Sequence, residues 1–444
     1  MLSRRRFLVS GSLTAAAGLA VPLSGVAKTV RPTRQTTTAD LSDWTRVREQ
    51  FDLDPAWVHA SLFFIASHPR PVREAIERYR RAMDANPFDT VEHGMFGAEA
   101  DNMPLKATRA IASYIGGKPE EIALTQNTTT GLALIYHGLA LKAGDEILTT
   151  EHDHFSHHES IRLATERAGA TSRRIRLFDS SDSISANEIV DRIRKAIRPN
   201  TRAIGITWVH SSSGLKLPIR QIADAVAEVN RDRKERVLLI VDGVHGIGVE
   251  DPAVAASGAD AFSAGTHKWI FGPRGTGFVW AKPDVWAMLR PTIPSFLSLE
   301  VYEGWMQGKP PAGAANGSWF APGGFQAYEH HWALPEAFEF HRAIGPARVT
   351  KRIHELNSRL KDGLAAMSHV TLYTPRSSAL SSGIVCFDVK GMQPQQVVSA
   401  LRAKKILAST TPYRVTYARL SFGVANTTEE VDRAIREVKA LRSI

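Results

Sequence analysis

An aspartate and a lysine each stand just after an apolar run near the middle of the chain. Asp242 follows the run 237–241, and Lys268 comes shortly after the run 260–264. A primary amine forms an imine with an aldehyde, and a carboxylate holds a pyridine nitrogen in its protonated form. The pair therefore suits pyridoxal 5'-phosphate (PLP), and it predicts a PLP-dependent enzyme with the cofactor attached at Lys268.

The apolar runs that place these two residues alternate with stretches of helical periodicity. Runs that are apolar throughout are typical of strands buried on both faces of a parallel sheet. Ligands bind outside the carboxyl ends of such strands, so we expect Asp242 and Lys268 to meet at one edge of the sheet. The strands predicted up to Asp242 are 122–125, 146–149, 172–177, 201–207 and 237–241. This order predicts an α/β fold with a mostly parallel central sheet and flanking helices.

The length of the chain favours two domains, because 444 residues exceed what one core usually supports. Residues 307–324 are rich in Gly, Pro and Ala and are predicted to form a loop. A long helix over 332–343 is then predicted to lead into a smaller α+β part.

Each site residue taken alone also has an ordinary structural interpretation. Asp242 could cap the helix that follows it, and a lysine beside a tryptophan usually lies at the surface. The whole stretch 237–280 is far more specific, and it resembles the aminotransferase class V family of PLP enzymes. The matching pieces are Asp242-Gly-Val-His245, His267-Lys268-Trp269 and Gly272-Pro-Arg-Gly-Thr-Gly277. Within that family, His-Lys-Trp and Arg-Gly-Thr-Gly-Phe look most like the isopenicillin N epimerases.

This resemblance implies the fold type I architecture of PLP-dependent transferases. The large PLP-binding domain, with an N-terminal segment, would cover residues 43–330, and a smaller C-terminal α+β domain would cover residues 331–444. The resemblance also implies that the active enzyme is a homodimer.

The resemblance further assigns site residues. The catalytic residues would be Lys268, Asp242 and His152, of which His152 would stack on the pyridine ring of the cofactor. The other cofactor-binding residues would be His245 near the ring hydroxyl, and Thr128, Thr129, Thr266 and His267 at the phosphate. The substrate-binding residues would be Arg419, paired with the substrate α-carboxylate, and Ser211.

Some of these positions have alternatives or depart from the family pattern. Thr128 and Thr129 could form an ordinary helix N-terminus, and Arg419 could be a surface residue on a strand edge. Desulfurases of the family carry Ser where this chain has Gly265. Relatives carry Gly-Thr, which reaches the phosphate of the neighbouring subunit, where this chain has Gly324-Phe325.

Residues 152–158 contain four histidines and one aspartate. On a helix, His154 and His158 lie one turn apart, as do Asp153 and His157, and either pair could hold zinc. A ring-stacking histidine beside exposed polar residues explains the segment more simply, so we predict no metal.

The single cysteine bears on which reaction is catalysed. Desulfurases of this family need a cysteine on a mobile loop, whereas Cys386 lies in an apolar strand pattern, where a thiol is a poor nucleophile. We therefore expect no desulfuration, but chemistry at Cα of an amino acid or of an amino acid within a peptide. Lys268 is the expected base, and residue types do not separate epimerisation from transamination.

The N-terminus has the pattern of an export signal. Ser3-Arg4-Arg5-Arg6-Phe7-Leu8 resembles a twin-arginine signal, and an uncharged stretch follows up to Ala27. We predict a signal peptide over 1–27, a polar linker over 28–42, and export of the folded protein to the periplasm by the twin-arginine machinery. The mature form is expected to be free of the membrane.

Export leaves two other functions open. One is the tailoring of a siderophore of the pyoverdine type in the periplasm. The other, of a different class, is a periplasmic metal- or ligand-binding protein. The net charge of +10 comes without a basic tract that carries interleaved aromatics, so nucleic acid is not an expected partner.

The segment 291–325 supports a homodimer independently of the resemblance. It is loop-rich yet strongly apolar, and such a surface is more than soluble monomers usually expose. Its large apolar residues are Phe296, Leu299, Tyr302, Trp305, Met306, Trp319, Phe320 and Phe325. Packing of these side chains on their own domain is the alternative.

Overall fold

The computed structural model describes residues 40–441. The predicted signal peptide and nearly all of the predicted linker lie outside the described residues, so both stay predictions. Between residues 40 and 441, no helix is long and apolar enough to cross a membrane.

A seven-stranded sheet forms the centre of the molecule. Its strands are β1 (Ile122–Thr125), β2 (Glu146–Thr150), β3 (Thr171–Ile175), β4 (Thr201–Thr207), β5 (Leu238–Asp242), β6 (Ala261–Gly265) and β7 (Gly277–Ala281). They lie in the order β1-β7-β6-β5-β4-β2-β3, and β7 runs antiparallel to both of its neighbours while the other pairs are parallel. The predicted mostly parallel sheet is confirmed.

Helices cover both faces of this sheet. Side chains of β5 alternate between two cores, with Leu239 and Val241 in one and Leu238 and Ile240 in the other. Burial on both faces is the reason that the strand is apolar throughout. The helices up to β7 are α1 (Trp44–Arg48), α2 (Arg70–Ala85), α3 (Pro87–Phe96), α4 (Met103–Ile115), α5 (Thr128–Gly138), α6 (Phe155–Ala168), α7 (Ala186–Ala196) and α8 (Ile219–Asn230).

A second sheet of four antiparallel strands follows in the C-terminal part. Its strands are β8 (Val370–Leu372), β9 (Val385–Val389), β10 (Ser409–Thr410) and β11 (Ala418–Leu420), in the order β10-β11-β9-β8. The helices after β7 are α9 (Pro283–Met288), α10 (Leu299–Met306), α11 (Gly317–Phe320), α12 (Tyr328–Trp332), α13 (Leu334–Ile344), α14 (Pro346–Ala365), α15 (Pro394–Ala403) and α16 (Thr428–Ala440).

The predicted domain boundary at residues 330–331 stays a prediction. Leu334 and Phe338 of α13 share the core of the larger sheet, whereas Leu360 of α14 belongs to the core of the smaller one. The early residue Val58 also lies in the core of the smaller sheet, so the N-terminal segment joins both parts.

The helix predicted over 332–343 is confirmed as α13 (Leu334–Ile344). It begins two residues later than predicted, because Ala333 separates it from α12 and Pro335 stands in its first turn. One local prediction was wrong. The loop predicted over 307–324 contains the short helix α11, whose N-terminus is capped by the side chain of Asn316.

Candidate active site

The carboxyl ends of β5 and β6 bring the predicted aspartate and lysine to one site. Asp242 is the last residue of β5, is buried, and accepts a hydrogen bond from the amide of Val244 at 3.1 Å. Lys268 follows β6, and burial lowers the pKa of its amine. Burial raises the pKa of Asp242, so the enclosure favours the neutral form of both groups.

His245 is the direct partner of the lysine. Lys268 Nζ lies 3.0 Å from His245 Nε2. Burial and the nearby Lys268 hold the pKa of His245 well below its usual range, so the ring is neutral. A neutral ring that accepts at Nε2 carries its proton on Nδ1, and the described residues provide no partner for that buried atom. His245 can therefore donate a hydrogen bond to an oxygen of a bound molecule, as predicted for a ring hydroxyl.

The N-terminus of α5 lies beside the end of β6. The side chain of Asn127 caps the helix at the amide of Thr130, and Thr128 Oγ1 accepts a hydrogen bond of 2.7 Å from the amide of Gly265. The first amides of a helix have no partner within the helix, which makes this end suited to an anion. Thr129 stands exposed on the same turn.

Gly265 explains how Thr128 and His267 come close together. A Cβ atom at position 265 would lie 2.8 Å from His267 Cε1 and 3.2 Å from Thr128 Oγ1. The glycine at this departure from the desulfurase pattern therefore leaves room for the histidine ring next to the helix end. The structure brings Thr128 and His267 together at the start of α5, where Thr129 also stands, and their contact with a phosphate stays a prediction.

Thr266 is not free to join this group, and its predicted contact with the phosphate needs correction. Its side chain is fully buried, and its Oγ1 lies 2.5 Å from Thr276 Oγ1. Its amide donates to the carbonyl of Thr276 at 3.1 Å. Because the residue closes the loop 266–276 on itself, its hydroxyl points to the loop partner.

His152 lies at the end of β2 with one ring face against Phe178. The ring centroids are 3.7 Å apart and the planes differ by 11°. His152 Nε2 accepts a hydrogen bond of 3.3 Å from the amide of Leu177. Burial, with the neighbouring His210, lowers the pKa of His152 to about 3.

Arg419 on β11 is buried, which excludes the surface alternative. Its guanidinium donates to Ser409 Oγ at 3.0 Å, to the carbonyl of Ser211 at 2.8 Å and to the carbonyl of Thr410 at 3.1 Å. It also lies 4.5 Å from the centroid of the Phe63 ring. Two of the five guanidinium N–H groups remain for a planar anion.

Ser211 contributes differently from its prediction as a substrate-binding residue. Its carbonyl holds Arg419, and its hydroxyl lies 2.8 Å from the hydroxyl of Tyr413. The ring of His154 meets Tyr413 edge-on, with centroids 6.1 Å apart. The resemblance implied that the segment 63–69 lies near the mouth of the site, which agrees with the contact between Phe63 and Arg419. Tyr413 was missed by the sequence analysis, because it lies in no motif and only the fold brings it to Ser211.

The zinc alternative finds no support in the geometry of residues 152–158. His158 Nε2 donates to the carbonyl of Thr150 at 2.7 Å, and His157 Nε2 lies 2.6 Å from Tyr136 Oη. The carboxylate of Asp153 accepts hydrogen bonds from both the amide and the hydroxyl of Thr150. These side chains are held by hydrogen bonds to neighbouring residues of the protein, so neither pair presents two ligand atoms to one ion.

Several buried polar atoms on the neighbouring segments have no partner among the described residues. Besides His245 Nδ1, these include Thr207 Oγ1 at the end of β4 and both ring nitrogens of His210, whose ring lies 5.9 Å from that of His152. Buried polar atoms are normally hydrogen-bonded, so a polar molecule is expected to satisfy some of them. An amine, a carboxylate and an anion-binding helix end at this site fit PLP, whose aldehyde, pyridine nitrogen and phosphate need those three groups.

This fold and site define a PLP-dependent enzyme of fold type I. The chain belongs to the aminotransferase class-V family, whose model matches residues 65–434. Its cofactor is therefore PLP. Lys268, Asp242, Thr128 and His267 are the residues that would hold it.

Known proteins of two activities are similar to this chain. Isopenicillin N epimerase of Streptomyces clavuligerus is 28% identical over 413 residues, which is 90% of this chain and 99% of the epimerase. A probable cysteine desulfurase of Xylella fastidiosa (strain 9a5c) is 25% identical over 429 residues, which is 90% of this chain and 96% of the relative.

A solved structure confirms the fold. A C-DES variant with glycine covalently linked to its PLP cofactor superimposes with a TM-score of 0.78 at 22% identity, covering 89% of this chain and 99% of that one. The predicted fold type I architecture is thereby confirmed.

Proposed function

We propose that this protein is an isopenicillin N epimerase-like PLP enzyme that acts at Cα of an amino acid or of an amino acid within a peptide. The reaction is epimerisation or transamination. The observation that carries the proposal is the buried amine of Lys268, held 3.0 Å from the neutral His245 beside Asp242. The similarity to isopenicillin N epimerase over 90% of the chain supports it.

Each of three side chains has a separate role in such a reaction. PLP, when bound, supplies an electron sink for negative charge at Cα. The carboxylate of Asp242 keeps the pyridine nitrogen protonated, and the two free N–H groups of Arg419 bind the substrate α-carboxylate. Lys268, with a pKa lowered by burial, takes the proton from Cα. Addition of a proton to the opposite face of Cα, by a second donor, would complete epimerisation, whereas transamination would require Lys268 to pass its proton on instead of returning it to Cα.

Cys386 argues against desulfuration. It lies in β9, is completely buried, and burial raises the pKa of its thiol to about 12. A neutral thiol enclosed in a sheet is a poor acceptor of sulfur, and it is the single cysteine of the chain.

The decisive experiment incubates the PLP-loaded protein with candidate amino acids and peptides in deuterated water. Chiral and mass analysis should find deuterium at Cα together with inversion, or the corresponding keto product. Cys386→Ala is the matched control, because the proposal gives this thiol no part in the reaction. Release of sulfide from cysteine without exchange at Cα of any other amino acid would overturn the proposal.

A further inference from the structure

His152 is held from behind by an aromatic side chain that belongs to no recognised motif. Phe178 follows the edge strand β3 and is buried, and its ring lies parallel to the imidazole at 3.7 Å and 11°. Only one face of the imidazole is covered by this contact. The opposite face of the imidazole is the one on which a second flat group would stack.

The backbone amide next to Phe178 forms a hydrogen bond with a ring nitrogen of the same histidine. The amide of Leu177 donates to His152 Nε2 at 3.3 Å, so Nε2 uses its lone pair and the neutral ring keeps its proton on Nδ1. Leu177 is fully buried in the core of the larger sheet, which anchors this donor. Proton transfer at Nε2 would require this hydrogen bond to break.

The charged and titratable groups around His152 do not reverse its neutral state. His210 and Arg176 oppose a positive charge on the ring, whereas Asp153 and Asp179 favour one. Burial exceeds all of these contributions and lowers the pKa of the ring to about 3. The imidazole is therefore an uncharged flat surface throughout the physiological pH range.

We propose that Phe178 is a positioning residue that holds His152 as a neutral stacking platform for the PLP ring, while the hydrogen bond from the amide of Leu177 keeps Nε2 from taking up a proton. In this arrangement His152 contributes its face and not a proton. The inference rests on the predicted location of His152 over the cofactor, but it does not depend on which reaction follows. According to this inference, Phe178 affects cofactor binding through His152, although it does not touch the cofactor itself.

The test measures binding of PLP to apoprotein rather than catalysis. His152→Phe keeps a flat ring and removes both nitrogens, whereas His152→Ala removes the ring. Phe178→Ala removes the backing, and Phe178→Leu fills the space without a flat ring. The dissociation constant of PLP and the induced circular dichroism of the bound cofactor are measured for each variant, with urea unfolding of the apoprotein to show that it folds.

We expect His152→Phe to bind PLP within about a factor of two of the wild type. His152→Ala, Phe178→Ala and Phe178→Leu should each weaken binding by about two- to tenfold, the range of an aromatic stacking contact. The double variant His152→Ala/Phe178→Ala should lose less than the product of the two single losses, because the second ring acts through the first.

Three results would overturn the inference. One is a loss in His152→Phe as large as in His152→Ala, which would mean that the nitrogens matter. Another is unchanged affinity and dichroism in both folded Phe178 variants. The third is a folded wild type that does not bind PLP, which would remove the cofactor assignment as well, whereas failure of the epimerase proposal alone would leave these affinities unaffected.

Discussion

The buried lysines Lys268 and Lys361 differ in their hydrogen bonds, and this difference decides which amine can react with an aldehyde. Within residues 40–441, the one hydrogen-bond partner of the Lys268 amine is the neutral His245. The amine of Lys361 is also buried and its pKa is lowered to about 8, mainly by burial. However, its three N–H groups donate to the carbonyls of Pro375 and Arg376 and to a serine hydroxyl. An amine with every donor occupied is not available to an aldehyde.

Borohydride reduction of the PLP-loaded protein should therefore attach the cofactor to Lys268. Peptide mapping by mass spectrometry locates the adduct, and Lys361 is the internal control for a buried lysine with a lowered pKa. An adduct on Lys361 or on an exposed lysine would contradict the assignment.

Asp242 lies in a site that opposes its charge, so its ionised form depends on a cationic partner. The protonated pyridine nitrogen of PLP would be that partner, and an amide would not hold it protonated. Asp242→Asn should keep the fold but slow exchange of the substrate α-proton with deuterated water by orders of magnitude, as followed by NMR. Asp224→Asn, at a surface carboxylate of α8, is the control. Exchange at a near-normal rate in the Asp242 variant would count decisively against the role.

At the scale of elements, Gly205 lets a strand pass over a buried polar pair. A Cβ atom at this position of β4 would collide with Tyr136 Oη and lie 2.8 Å from His157 Nε2. Gly205→Ala should lower the free energy of unfolding by roughly 1–3 kcal/mol, as overpacking does. Urea denaturation measures the change.

Tyr136→Phe supplies the control for this prediction, since it removes the colliding oxygen. In that background Gly205→Ala should cost clearly less than in the wild type. Equal costs in the two backgrounds would show that the hydroxyl is not what the glycine accommodates.

The elements also show what could be predicted from sequence. The central strands β5 and β6 were found because they are buried on both faces and mostly apolar, and their ends placed Asp242 and Lys268 at one site. Phe178 and Tyr413 could not be found, because each acts through a contact between distant segments that no local spacing records. The hydroxyl of Thr266 points to Thr276 of its own loop and not to the predicted phosphate site. This direction is set by the conformation of the loop, which the residue type does not predict.

At the scale of the molecule, part of the apolar segment 291–325 remains on the surface. Phe320 packs on Trp286 within its own domain, whereas Trp305 and Phe325 are 71% and 83% exposed. We propose that a second subunit covers these two side chains in a homodimer.

Trp305→Glu and Phe325→Glu should then lower the dimer fraction and the PLP affinity together. Light scattering and cofactor titration measure the two effects, and Leu163→Glu on α6 controls for a charge placed on an exposed apolar residue elsewhere. A wild type that scatters as a PLP-loaded, active monomer would refute the proposal.

The predicted export concerns the whole folded protein, although its signal lies outside the described residues. Replacement of Arg4 and Arg5 by lysine should leave the protein in the cytoplasm with PLP bound, because twin-arginine export carries folded proteins. Cell fractionation with absorbance of the bound cofactor is the measurement. Continued arrival of this variant in the periplasm would mean that the signal is of another type.

Arg419 links the two parts of the molecule and also has N–H groups for a ligand, so the melting temperature can report ligand binding. Arg419 extends from the smaller sheet to the carbonyl of Ser211 in the larger part and keeps two N–H groups for a carboxylate. A carboxylate ligand bound to these two N–H groups would be held by the same guanidinium that links the smaller sheet to the larger part. It would therefore be released when the two parts separate on unfolding. Shifts in melting temperature across a library of amino acids and acidic peptides would therefore rank candidate substrates before any product is known.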